Sequence, residues 1–222
     1  MLLLPFLVGV LETGLSWVHV PLLIAWLAGY LFSYFALLAV KTGRTARVRR
    51  QLVTYGSVAA TAAVVCLVAV PALVVFAPAF AALVAVNAVY ARRRDDRSIV
   101  NDLASVAQAC LMVPVAAVAG GAPASTGWTA AAVLALYLAG TAVYVKTMIR
   151  ERGRAGWRLA SALVHAAAAV VAWLVAPALG VAFAWFLARA VVLPRFPLTP
   201  RTVGLIEVGN SVLLLLLVPP ST

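Results

Sequence analysis

Acidic residues are nearly missing from this chain: Asp and Glu total 6 in 222 residues, against 17 Lys and Arg, and only 10% of the chain is charged. A Mg²⁺ site needs several oxygen ligands free of competing cations. Asp95 and Asp96 stand in ARRRDDRS among four arginines, where ion pairing would consume them. No metal site or other cofactor is expected. Cysteine is scarcer still. Cys66 and Cys110 fall inside apolar runs, where a free thiol behaves as a small hydrophobe, so neither a disulfide framework nor a zinc site is indicated. The period-two alternation of a membrane β-barrel is absent. Long polar stretches are absent too, and the longest connection is about a dozen residues. Residues 1–222 therefore read as a single membrane domain.

What the chain does contain is apolar. At 65% hydrophobic residues it carries more apolar surface than a soluble core of this size could hide. Only helices satisfy their own backbone in lipid here, and each crossing takes about 20 residues. Nine runs stand out, at roughly 1–14, 17–40, 52–69, 71–91, 103–119, 128–145, 158–175, 177–193 and 202–219. The Pro-containing breaks near 70 and 176 read as turns, because each parent run is too long for one span. The expected fold is all-α: a polytopic membrane helical bundle of about nine transmembrane helices. The first run is short for a span, so either it is half-inserted or the gene product begins upstream of Met1.

The 17 bases fall into four groups, after the second, fourth, sixth and eighth runs. With nine crossings all of them lie on one side, which the positive-inside rule makes cytoplasmic. The N-terminus is then cytoplasmic and the C-terminal VPPST external, in a multi-pass protein of the cell membrane. The net charge of +11 belongs to these membrane-flush loops and implies anionic membrane lipids as partners, not nucleic acid.

Polar residues within the runs are costly in lipid, which makes them functional candidates. Arg189 on the eighth run and Glu207 on the ninth lie at similar depth, so a salt bridge between them is expected, with Asn210 on the face of Glu207. With Asn87, Gln108 and His165 they suggest a polar cavity opening to the cytoplasm. Asn and Gln in such helices also serve as interhelical glue. His19 reads as interfacial, and Asn101 or Asp102 as the cap of the fifth helix.

The stretches MLLLPFLVGV, VNAVYARRRDDRSIVNDLA and YVKTMIRERG resemble the YwiC-like family of bacterial membrane proteins over essentially the whole chain. Members of that family commonly carry a Glu-His-Gly-Ala-Trp stretch just before the LLLPF run, which implies an N-terminal piece not seen here. A more distant resemblance is to UbiA-type intramembrane prenyltransferases, and it implies a nine-helix topology with a cytoplasm-facing cavity. Tyr90, Arg92–Arg94 and Ser98 are similar to that superfamily's pattern after helix four. KTMIRERGR resembles its Lys-Asp-Ile-x-Asp-x-x-Gly-Asp motif with Lys146 and Gly153 kept. The acids of that motif are replaced by Thr147, Arg150 and Arg154, and SYFALLAVKTGR has no Asn or Asp. The resemblance therefore carries over a scaffold without Mg²⁺–diphosphate chemistry.

Guanidinium groups in place of acids and Mg²⁺ can hold phosphate oxygens directly. If the sixth helix continues through the loop, Lys146, Arg150 and Arg154 share one face, with Arg92, Arg93 and Arg94 opposite. The expectation is a surface for an isoprenoid phosphate or an anionic lipid headgroup; positive-inside topology alone would explain the number of bases but not their i, i+4, i+8 placement. Three classes fit the sequence: a lipid-modifying or lipid-binding protein, a carrier for a small solute or lipid, and a non-catalytic membrane subunit of a respiratory or envelope complex. Whether the chain is an enzyme, and which protein partners it has, are not written in these residues.

Overall fold

The computed structural model describes residues 2–95 and 97–218, and the described residues are helical with no strand. The helices are α1 (Leu3–Thr13), α2 (His19–Thr42), α3 (Thr45–Ala69), α4 (Ala77–Arg92), α5 (Ile99–Cys110), α6 (Met112–Ala119), α7 (Trp128–Ile149), α8 (Ala155–Val175), α9 (Pro177–Val192) and α10 (Pro200–Leu217). Short 3₁₀ segments, Pro71–Phe76 and Leu193–Arg195, lead into α4 and out of α9. The segments 99–110 and 112–119 are one rod interrupted at Leu111, because Pro114 has no N–H to return to the carbonyl of Cys110.

Eight of the resulting segments are long and apolar enough to cross a bilayer. Large apolar side chains such as Val68, Leu174 and Val181 point outward, as a lipid solvent requires. The chain is a multi-pass membrane protein. The first run is short, as its length implied: α1 has 11 residues, about 16 Å at 1.5 Å per residue, against the ~30 Å hydrocarbon core.

Two compact units divide the chain, one of residues 1–8 and 129–222 and the other of 9–128. In the 9–128 unit, α2 and α3 form a hairpin closed by Gly43. Its φ of 67° is open to glycine, and its N–H caps the carbonyl of Ala39. Phe35 and Tyr55 stack across that hairpin with ring centroids 5.8 Å apart. α3 starts at Thr45, well before the expected 52, so Arg47, Arg49 and Arg50 ride on its first turns.

Helix α5 begins at Ile99, with Ser98 at the cap position and no side-chain capping bond, so neither Asn101 nor Asp102 caps it. His19, at the start of α2, is buried against the protein. It accepts from the Ser16 amide through Nδ1 at 2.9 Å, which leaves Nε2–H to donate to the Ala116 carbonyl at 2.9 Å.

In the other unit, α8 and α9 form a tight hairpin with Ala176 as the only residue between them. Gly180 makes this approach possible: a Cβ there would lie 2.4 Å from Trp173 Cε3. α7 is the most buried span of this unit.

Candidate functional site

The polar residues of the 129–222 unit converge on Arg189. Its side chain is 1% exposed and its Nη1 is ion-paired with Glu207 Oε1, joining α9 to α10. Nη2 lies 3.3 Å from His165 Nε2 on α8. The other ring nitrogen, Nδ1, is 2.8 Å from the Ser161 carbonyl, an obligate acceptor, so Nδ1 carries the proton and Nε2 accepts from Arg189. The guanidinium carbon sits 4.4 Å from the centroid of the Tyr144 ring, a cation–π contact in a water-poor setting. Arg189 Nε, Tyr144 OH and Ser161 Oγ are buried without a partner.

Glu207 is satisfied from its second oxygen. Tyr137 OH and Thr141 Oγ1 donate to Oε2 at 3.1 and 3.2 Å. Ser211 Oγ, one turn on, donates to the Glu207 carbonyl at 2.8 Å. Tyr137, Thr141 and Tyr144 recur at i, i+4 and i+7, so α7 presents them on one face. Gly140, on the same helix, leaves room for the His165 ring.

Beside this network runs a groove of about 520 Å³, open along one side. Leu138, Val145, Val208, Val212, Leu215 and the α1 leucines make it apolar, while Tyr137, Thr141, Glu207 and Ser211 supply its polar strip. The volume falls within the ~300–1,000 Å³ range of small-molecule sites. Arg189 and His165 do not line it. Of the ion pair, Glu207 is therefore the member that lines the groove.

The sequence-read candidates distribute as follows. His165, Arg189 and Glu207 are brought together. Asn210 stands apart, accepting from Trp185 Nε1 at 3.1 Å. Asn87 and Gln108 belong to the 9–128 unit, where Asn87 Nδ2 donates to Gln108 Oε1 at 3.2 Å. Arg92, Arg93 and Arg94 also lie in that unit, exposed at the end of α4, with Arg94 at a positive φ of 56°. Asp96 and the C-terminal residues 219–222 lie outside the described residues.

The helical register expected for Lys146, Arg150 and Arg154 does not hold. α7 ends at Ile149, with the amides of Arg150 and Glu151 both returning to the Lys146 carbonyl, and Gly153 turns the chain at φ 85°. Lys146 is buried, whereas Arg150 and Arg154 are exposed, Arg154 being 2.5 Å from Glu151 Oε2. Thr147 spends its hydroxyl on the carbonyls of Val143 and Trp157. The loop is tied instead to the α9–α10 connection, with Arg152 Nη2 donating to the Phe196 carbonyl at 3.3 Å. Among the described residues no three His, Cys, Asp or Glu side chains lie close enough to share a metal ion.

The model of YwiC-like proteins matches residues 1–117. The chain belongs to the YwiC-like family. An "Uncharacterized protein" of Haemophilus influenzae is 31% identical over 232 residues, covering all of this chain and 94% of that protein. "Uncharacterized protein YwiC" of Bacillus subtilis is 31% identical over 154 residues, covering 68% of this chain and 64% of that protein. No solved structure matches. The YwiC-like match spans α1 to most of α6, so the Arg189–Glu207 network lies beyond it, in the part that the Haemophilus relative covers.

Proposed function

We propose that this YwiC-like protein sits in the bacterial cytoplasmic membrane with its basic ends inward, and that its 129–222 unit binds a phosphate-bearing amphiphile. An isoprenoid phosphate or an anionic membrane lipid presents that chemistry. The observation that carries the reading is the Arg152–Phe196 contact. It draws the α7–α8 loop to the α9–α10 connection, so Lys146, Arg150, Arg152, Arg154, Arg158, Arg195 and Arg201 crowd one end of the unit with Glu151 as the acid among them. Val145 and Gly204, which line the groove, lie next to this basic end. Phosphate would meet guanidinium forks at the rim while the hydrocarbon chain enters the groove.

A UbiA-like scaffold is compatible with this reading, though not its metal chemistry: Thr147, Arg150 and Arg154 do not fit a cation. No step is assigned to the chain beyond binding.

Native mass spectrometry of the purified protein with an isoprenoid phosphate or with phosphatidylglycerol tests the reading. Both lipids, or one of them, should be retained by the wild type and weakened in Arg150→Ala/Arg154→Ala. Equal occupancy in wild type and variant overturns the phosphate site. For orientation, single cysteines at Thr42 and Thr126 should be labelled from opposite sides of the membrane, Thr42 from the cytoplasm. Labelling from the same side would refute the topology.

A further inference from the structure

The polar strip within the groove is unlike its basic rim. Glu207 lines the groove and Arg189 does not, so the member of the ion pair at the groove is the acceptor. The Tyr137 hydroxyl proton is committed to Glu207, with Oε2 at 3.1 Å and the carbonyl at 3.3 Å, that of Thr141 to Oε2, and that of Ser211 to the same carbonyl. No hydroxyl proton is left over, so what these residues can offer a ligand in the groove is acceptor lone pairs. An ammonium group would add a net charge to a pair already neutral at membrane depth, which is costly. A neutral donor adds none.

We propose that Glu207, Tyr137, Thr141 and Ser211 form a hydroxyl-recognition point partway along the groove, so that the bound lipid donates a hydroxyl to them. The inference rests on the groove being a lipid site, as proposed above. From Lys146 to Thr141 along α7 and from Arg201 to Glu207 along α10 is roughly 7–9 Å at 1.5 Å per residue. The preferred amphiphile thus carries its hydroxyl about that far inside its phosphate. An unfunctionalised hydrocarbon at that depth would leave the acceptors facing alkane, and this penalty gives the groove its selectivity.

The test uses the full chain in lipid nanodiscs and a diazirine-bearing tetradecanol, with labelled peptides read by mass spectrometry. Labelling should fall on α1, α7 and α10. Tetradecanol should displace the probe at a concentration roughly three- to tenfold lower than its methyl ether, the span expected for one hydrogen bond, and tetradecylamine should compete no better than the ether. Gly204→Trp should abolish labelling. Gly204 lines the groove and a Cβ there meets nothing within 4 Å, so a larger side chain can start from this position without a clash at Cβ. Thr141→Val, which removes one acceptor, should narrow the gap between alcohol and ether.

Equal competition by alcohol and ether, preferred binding of the amine, or labelling indifferent to Gly204→Trp would overturn the proposal. Phospholipid retention in the arginine variant is a separate readout, so failure of the phosphate site and failure of the hydroxyl point are distinguishable.

Discussion

Gly140 on α7 and the imidazole of His165 on α8 fit so closely that a Cβ on the glycine would lie 3.2 Å from Nε2, the atom that accepts from Arg189. The space left by one missing methyl thus sets the position of the ring in the network. Gly140→Ala should shift His165 off Arg189 and lower stability by about 1–2 kcal/mol, the cost of modest overpacking less the gain in helix propensity. Gly204→Ala, with open space around it, should be neutral or stabilising by up to ~1 kcal/mol. Unfolding of both variants in mixed micelles checks the contrast; equal effects would show that the imidazole moves freely.

The Arg189–Glu207 pair should behave as a unit. Arg189→Met alone leaves a carboxylate at membrane depth, and Glu207→Leu alone leaves an unpaired guanidinium; each should cost about 3–5 kcal/mol. The double variant should cost well under the sum of the two. A double-mutant cycle by denaturant titration measures this coupling, and strict additivity would mean the two charges find other partners.

Two tyrosines on α7 should separate cleanly. Tyr137→Phe removes a hydrogen bond to Glu207 and should destabilise by about 1 kcal/mol. Tyr144→Phe removes a hydroxyl that is buried without a partner, while keeping the ring beneath Arg189, and should be neutral or stabilising. Melting temperatures of the two variants would then move differently, and a larger loss for Tyr144→Phe would reveal a partner for that hydroxyl.

The α8–α9 hairpin depends on Gly180. Its Ala variant would press a Cβ against the Trp173 ring and backbone, and should cost at least about 1–3 kcal/mol, visible as a lower midpoint in thermal unfolding. Gly180→Ala combined with Trp173→Ala should recover part of the loss.

How the sequence foretold these features depends on what each one requires. Helices in lipid follow from long apolar runs, and those were legible, as was the Arg189–Glu207 pair, because a charge at membrane depth stands out against alanine and leucine. Tyr137 and Thr141 escaped notice because Tyr and Thr are ordinary in apolar helices. Only their i, i+4 spacing, read together with the depth of Glu207 on another helix, would have marked them. The expected face of Lys146, Arg150 and Arg154 failed on backbone grounds: the capping of the Lys146 carbonyl and the positive φ of Gly153 end the helix before that periodicity could extend. Bases spaced four apart look alike in a helix and in a turn. The early start of α3 was hidden because Arg47, Arg49 and Arg50 read as loop, although long cationic side chains at a helix end can reach the interface.

The one-residue link at Ala176 bears on how the protein enters its membrane. Helices α8 and α9 have nothing polar at the end opposite the bases, only a turn whose next residue, Pro177, has no amide hydrogen to expose. During synthesis the two helices can cross the hydrocarbon together as a closed hairpin. At their leading tip the Ala176 amide returns to the Ala172 carbonyl and the Gly180 amide to the Ala176 carbonyl, so part of the turn's backbone is already satisfied when the hairpin meets lipid.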